Sequence, residues 1–557
     1  MSDSMGVPLY KQEHSTSSTA TAIDGVGTRS PRNIDDGKLR RPSNEARGSP
    51  SRSWSSDQPH QDLEKQDIDS VPSSQVGSSS ILDDGERIVD NGTEKPVRSS
   101  TPTALPTDDP DHPVNFAQGK KILINLALNI WVLSLTYTST AYVASLPALM
   151  REFNLSRTAA IVGVTLTVLG FAAGPLLFGP SSEVLGRRPV YVVTGVGYIA
   201  FAWGAAFANN AALLLISRFF IGFFGSSAIN TVPASIGDFT TLVQRGPFTI
   251  LYALCAFGGP GLGPLCSAFI ETYAGFRWNL RVMAIFITIT TIAAAMVPET
   301  HAPTILKRKL EKQGQPAPKL SPGKVVGVYK TAMSRPLVYL FTEPIVTIVC
   351  MYLSFLYGVL YGFFAAFEVV FVERRGMSLT SFGLTYISLA IGFIIGCALL
   401  ATVGAGSYKR KAIECAQQGI KTPAEARLTL AYIGAIICPI SLFIFAWTAP
   451  FTNVHWIGPL IGEMLFGMSM LMVFTGFIPF LVDCYQHTAA SALAAGMASR
   501  ALIGSVFPLF AVQMYHKLTI QWATMLLAFL ALMMTPVPFI FKKFGPRLRK
   551  ASKYANE

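Results

Sequence analysis

Twelve apolar stretches of about twenty residues, separated by polar turns, leave this chain little freedom in choosing a fold. By hydropathy they run 122–144, 159–178, 189–207, 211–233, 248–271, 280–297, 341–363, 382–404, 428–448, 457–480, 489–512 and 521–541, here spans 1 to 12. An apolar helix of that length crosses a bilayer, and in lipid its backbone groups must be satisfied within the helix. An all-α, multi-pass membrane protein is expected. Half of the 557 residues are hydrophobic and only 14% are charged, which is more apolar surface than one aqueous core can hide.

The formal charge of +12 does not mark a nucleic-acid binder, because the cations cluster beside the apolar spans. Six spans precede and six follow a basic segment holding Lys307, Arg308, Lys309, Lys312, Lys319, Lys324, Lys330 and Arg335. The positive-inside rule places that segment in the cytosol, with the loop of Lys409, Arg410, Lys411, Lys421 and Arg427 and the end of Lys542, Lys543, Arg547, Arg549, Lys550 and Lys553. An even number of spans puts both termini there. The expected organisation is a disordered cytosolic tail (1–115), a six-helix lobe (116–300), a cytosolic inter-lobe loop (301–340), a second six-helix lobe (341–545) and a basic tail (546–557).

The N-terminal tail is rich in Ser, Thr, Pro and charge and has no secretory signal pattern. Its Ser49-Pro50 and Thr101-Pro102 are candidate phosphate acceptors, and Asn91 and Asn154 head sequons that support no functional claim. Cys255, Cys266, Cys350, Cys397, Cys415, Cys438 and Cys484 fall in spans or on the cytosolic side, so no disulfide framework is expected. No spacing suits a metal, no phosphate-binding loop for ATP is present, and no nucleophile is paired with a base. Neither an enzyme nor a resident cofactor is expected.

Three local patterns carry chemistry. Gly179-Pro180-Ser181-Ser182-Glu183-Val184-Leu185-Gly186-Arg187-Arg188-Pro189-Val190 is a tight hairpin between spans 2 and 3, with both signs of charge at the helix ends. Leu215-Ile216-Ser217-Arg218, followed by Gly222 and Gly225, puts a cation inside span 4, where an unpaired charge costs several kcal/mol and must face water or a partner. Gly259-Pro260-Gly261-Leu262-Gly263-Pro264 removes side-chain bulk and backbone donors from one place in span 5, allowing close approach and a bend.

In this order and spacing the patterns resemble the second-to-third-helix, fourth-helix and fifth-helix motifs of the major facilitator superfamily, with Glu183 where the family usually has Asp. The resemblance covers nearly everything from Asp108 to Tyr554. Asp109-Pro110, Pro298-Glu299-Thr300-His301-Ala302-Pro303, Phe341-Thr342-Glu343-Pro344, Glu425-Ala426-Arg427-Leu428 and Phe507-Pro508-Leu509-Phe510 narrow it to the fungal twelve-span drug/proton antiporters. It implies two six-helix lobes that rock about a central site, a monomer in the lipid bilayer, and proton-coupled export of a small molecule across the plasma membrane. Drugs, polyamines, secondary metabolites, glycolipids and organic acids all remain open as cargo. A non-transporting receptor or scaffold is the rival reading.

The resemblance also implies roles for residues. Arg218 takes part in proton coupling; Gly179, Glu183, Gly186, Arg187, Arg188, Asp238 and Arg245 form a cytoplasmic latch; Gly259, Pro260, Gly263 and Pro264 form a pivot at the lobe interface. The cavity is expected to be lined by Asn125, Asn129 and Tyr137 with Thr136 (span 1), Asn230 (span 4), and Tyr352, Tyr357 and Tyr361 (span 7). Glu463 and Glu368 are the departures from the family pattern. A carboxylate in lipid must be neutral, paired or wetted, so Glu463 is expected to titrate, facing Arg218 across the cavity, with Glu368 nearer the mouth. Arg500 in span 11 matches a frequent arginine and is read as structural. Such a cavity leans towards cationic or amphipathic cargo, while Arg218 leaves anions open.

Overall fold

The structure is a computed structural model that describes residues 105–241, 244–315, 321–552 and 554–555. Eleven continuous helical segments in it are long and apolar enough to cross a membrane: Gln118–Glu152, Arg157–Val184, Arg187–Ala206, Ala211–Phe239, Arg245–Ala274, Phe276–Ala295, Pro344–Arg374, Leu379–Gln417, Ala424–Thr448, Ile457–Cys484 and Ala489–Ala551. The last divides at Thr519, whose φ of 66° and ψ of 159° leave the helical region, so the count is twelve, as expected. Helix starts are written locally: Ser156, Asn210 and Ser378 accept the N–H of Ala159, Leu213 and Ser381 at the heads of spans 2, 4 and 8. Val193, Ile289, Ile292, Trp522 and Met533 remain exposed, as a lipid-facing surface requires.

The two halves repeat one packing scheme. Span 1 lies on span 5, span 2 on span 4, and span 3 on spans 4 and 6; likewise span 7 lies on span 11, span 8 on span 10, and span 9 on spans 10 and 12. The lobes meet along spans 2 and 11 and along spans 5 and 8. That gives a pseudo-twofold pair around a central seam.

Three expected boundaries shift. Residues 1–104 lie outside the described residues, but the tail does not run to 115. Leu105 is buried against Leu306 and Leu310, and Asp109 accepts from Lys309 Nζ at 2.6 Å. Nearby Lys309 holds the Asp109 carboxyl below its ordinary range. The inter-lobe segment expected as a loop contains two helices, Ala302–Lys312 and Pro322–Thr342, the first of which supplies that dock. The final helix persists to Ala551, inside the expected basic tail, because Arg549 is tied to Glu425.

Candidate functional site

At the end of the bundle that carries Leu105 and Ala551, Gly186 turns the chain from span 2 into span 3 with φ at 97°, a backbone region that favours glycine. A Cβ there would also lie 2.6 Å from Glu299 Oε2. Arg187 follows, nearly buried, and its Nε donates to Asp238 Oδ2 at 3.0 Å while Nη1 donates to Ser182 Oγ at 2.7 Å. Two expected latch members are elsewhere. Glu183 is exposed and makes no ion pair among the described residues; Arg245 donates to the Gly237 carbonyl at 3.1 Å instead of bonding Asp238. Arg188 is exposed, but its N–H, with that of Arg187, points at Glu299, at 3.3 and 2.8 Å. Glu299 thus caps span 3, satisfying donors that a helix start leaves open. At this turn the carboxylate beside the span 3 N–H groups is thus contributed from beyond span 6 and not by Glu183.

Arg218 is fully buried and spends its donors on carbonyls of Gly163, Thr138 and Ser139 at 3.1, 3.0 and 3.3 Å, with Tyr142 beneath its guanidinium at 4.4 Å. No carboxylate faces it among the described residues. Glu463 is also fully buried, but between spans 8 and 10, where Ser388 Oγ donates to its Oε2 at 2.6 Å and Oε1 has no partner. The expectation that these two charges oppose one another across the cavity is not met. Equal depth along two helices does not fix their rotation, and each side chain turns into its own lobe.

In span 5, Gly259 and Gly263 face span 1: a Cβ on Gly263 would meet the Tyr137 carbonyl oxygen at 2.7 Å, and one on Gly259 would collide with Thr136. Gly261, between them, faces the other lobe, 3.3 to 3.4 Å from Ala390 and Tyr386 backbone atoms by the same construction. Buried Pro260 and Pro264 accompany this two-sided contact. The element therefore seals span 5 against its own lobe and against span 8 at once.

At the far end of the bundle Arg157, heading span 2, reaches Glu368 at 3.0 Å and Glu373 at 2.7 Å on span 7, and His516 Nε2 lies 2.9 Å from Glu373. Glu368 is held at this end of the bundle by an ion pair that crosses between lobes. Below it Tyr361 OH lies 3.2 Å from Ser139 Oγ of span 1, and Thr165 donates to the Ser505 carbonyl at 2.8 Å.

The expected cavity residues separate. Tyr357 and Tyr361 stand together at the seam, ring centroids 5.0 Å apart. Tyr137 packs on Phe286 and Tyr352 on Phe477, each inside its own lobe. Asn129 Nδ2 donates to Asn125 Oδ1 at 2.8 Å, and Asn230 lies against Gly179. Arg500, read as structural, instead sits half-buried beside that seam, with Tyr357 and Phe474 rings 5.9 and 5.5 Å from its guanidinium and the Tyr252 phenol of the first lobe nearby. It forms no ion pair among the described residues.

Residues 126–508 match the model of the Major Facilitator Superfamily. The chain belongs to that superfamily. This superfamily member is 37% identical over 460 residues to the efflux pump FUBT of Fusarium oxysporum, covering 81% of this chain and 77% of the relative. It is 37% identical over 458 residues to the multidrug transporter mdrA of Aspergillus fumigatus, covering 80% and 75%, and 36% identical to an ascochitine biosynthesis cluster transporter of Didymella fabae, covering 80% and 88%. The xylose transporter XylE from E. coli, partially occluded and inward open, superimposes with a TM-score of 0.53 at 17% identity, over 76% of this chain and 99% of that one. It is a membrane transporter of small molecules, not an enzyme.

Sequence reasoning about this transporter missed Glu299, Arg157, Glu373 and His516 as site members. Glu299 was visible only as part of a motif after span 6, with no cue that it returns to span 3. Arg157 and Glu373 carry a weak cue, opposite charges at equal depth on the helix ends that line the seam.

Proposed function

We propose that the protein is a proton-coupled antiporter that exports small amphipathic organic molecules by alternating access, with aromatic organic anions as preferred cargo. One observation carries the cargo class: the seam holds a cation, Arg500, between aromatic rings and without an acidic partner among the described residues. The carboxylates that favoured cationic cargo are engaged elsewhere, Glu463 by Ser388 and Glu368 by Arg157. A guanidinium framed by rings binds a planar carboxylate by charge-assisted hydrogen bonds and stacking. The names of the relatives, efflux pump and multidrug transporter, support export.

In this reading Glu368 and Glu463 carry the coupling protons, the first at the mouth and the second within the second lobe, and Arg218 stiffens the join of spans 1, 2 and 4 that must move with them. Protonating Glu368 leaves Arg157 tied to span 7 by Glu373 alone, which weakens the closure of the far mouth and gives proton and cargo opposed preferences for the two orientations. Both termini lie in the cytosol, a reading that rests on the basic loops, and the membrane is the plasma membrane, a reading that rests on the resemblance to fungal exporters. The transporter works as a monomer.

Proteoliposomes under an imposed pH gradient test this with an aromatic carboxylic acid, its neutral ester and an amine of matched size. The acid is expected to move at least about tenfold faster than the amine, since about 1.4 kcal/mol of preference suffices. Arg500→Gln should erase that preference while the ester still moves. Equal rates for acid and amine in the wild type overturn the cargo class, and rates indifferent to the gradient overturn the coupling.

A further inference from the structure

The helix Val537–Ala551 that prolongs span 12 runs into Arg547-Leu548-Arg549-Lys550-Ala551-Ser552. Basic residues two, three and five positions ahead of a serine are the charge pattern read by acidic pockets of arginine-directed serine kinases. The fold gives that serine a specific partner. Ser552 Oγ donates to Glu343 Oε2 at 2.5 Å, and Glu343 is buried at the start of span 7. The same oxygen accepts from Tyr485 OH, at the end of span 10, at 2.9 Å. Beyond Ser552, the Tyr554 ring lies on Tyr339 with centroids 4.9 Å apart, and the Tyr554 and Ala555 N–H groups return to Ser552 Oγ at 3.2 and 3.0 Å. A cavity of about 310 Å³ adjoins this seat, lined by Val338, Thr342, Pro344 and Leu548 among others.

We propose that Ser552 is a phosphoacceptor whose phosphorylation ejects the C-terminal segment from its seat on Glu343 and Tyr339. In the transfer, Ser552 Oγ attacks the γ-phosphorus of magnesium-bound ATP. The Oγ–P bond forms, the bond to the β,γ-bridging oxygen breaks, ADP leaves, and the hydroxyl proton passes to the kinase's base. The product carries a charge of about −2 where a hydroxyl had donated to a carboxylate. The donor is lost and two anions face each other, so the segment leaves and the cavity opens, while Tyr485 keeps Glu343 partnered. Arg549 is bound to Glu425, so the kinase reads it only when the last turn frays, which makes the acceptor conditional on that ion pair.

In cells the proposal rests on the reading that the C-terminus is cytosolic, so the first test avoids the membrane's sidedness. The full-length transporter in detergent micelles is incubated with a purified arginine-directed serine kinase and magnesium-ATP, and phosphate is mapped by peptide mass spectrometry. The Ser43→Ala background is used because Arg40-Arg41-Pro42-Ser43 shows a similar pattern. Phosphate at Ser552, an initial rate at least about threefold higher in Glu425→Gln, and tryptic nicking after Lys550 about fivefold faster in the phosphorylated protein are expected. Failure to label Ser552 in the intact protein, under conditions that label a free peptide of residues 545–557, overturns the proposal; so does labelling with an unchanged nicking rate. Antibody access to a C-terminal tag in intact and permeabilised cells tests the orientation separately, and access without permeabilisation overturns the proposal in cells while leaving the micelle result intact.

Discussion

The two lobes solve the same problem with unequal strength. In the first, Arg187 at the start of span 3 holds Asp238 at the end of span 4 at 3.0 Å, with the two side chains 9% and 22% exposed. In the second, Arg427 heads span 9 and holds Asp483 at the end of span 10 at the same 3.0 Å, but the side chains are 33% and 29% exposed and Tyr408 lies 3.6 Å beneath the guanidinium. Behind each pair stands a group from beyond the last span of its lobe: Glu299 on the span 3 N–H groups, and Arg549 on Glu425 just ahead of span 9. A duplicated scaffold therefore keeps the pairing and varies its solvation. The first lobe has the near-buried hub, the second a wet one, and the ends of the lobes differ in what it costs to separate them.

The largest expected effect breaks that asymmetry. Arg187→Ala leaves Asp238 facing a desolvated gap and should cost about 3–5 kcal/mol, the range for breaking a buried pair by removing one partner. Arg427→Ala should cost no more than about 1 kcal/mol, as exposed pairs do. Thermal unfolding of the two variants in detergent, with Arg187→Ala/Asp238→Ala and Arg427→Ala/Asp483→Ala closing the cycles, measures the difference. Equal losses would mean that solvation does not distinguish the lobes.

A smaller effect sharpens the comparison through pH. His301, beside the first-lobe pair, bonds Thr304 Oγ1 through Nδ1 at 2.9 Å, and burial with nearby Arg187 pushes its pKa down to about 4. The free ring titrates near 6.5, so below that value the unfolded chain takes up a proton that the folded chain refuses. The stabilisation is complete above about pH 6.5 and is lost as pH falls towards about 4. Its size is about 3 kcal/mol at most, from a fall in pKa from about 6.5 to about 4. Carboxylates titrate in the same window, so the measurement is the difference between wild type and His301→Gln in melting temperature from pH 7 to pH 4. Parallel curves would remove His301 from the hub.

Most of the fold was legible because membrane crossing is a local property: length and apolarity of each span decide it, and the twelve spans and their pairing into sixes follow from segments that need no long-range information. Gly186 and Arg187 were legible too, since a positive-φ turn and a helix-heading cation are written within a few residues. What failed was rotation about helix axes. Glu463 and Arg218 lie at matching depths, yet each turns inward in its own lobe, and Tyr137 and Tyr352 do the same. With apolar residues on every face of a buried span, no amphipathic stripe fixes which side meets the seam.

The smallest expected effect tests which carboxylate serves the first-lobe turn. Sequence spacing favoured Glu183, four residues before Arg187, whereas the fold aims Glu299 at the Arg187 and Arg188 N–H groups at 2.8 and 3.3 Å and leaves Glu183 exposed. Glu299→Gln keeps one acceptor oxygen but removes the charge that complements the helix start, and should cost about 1 kcal/mol. Glu183→Ala should stay within about 0.5 kcal/mol, as substitutions at exposed sites without a special role do. Cysteine labelling at the Gly186 end adds a conformational readout: Glu299→Gln should raise accessibility of a cysteine placed in the turn after span 2, and Glu183→Ala should leave it unchanged. The reverse ranking would return the latch to the residue that spacing alone proposed, and would mean that the pairing seen around Gly186 belongs to one conformation of the transport cycle and is exchanged for another when the lobes rock.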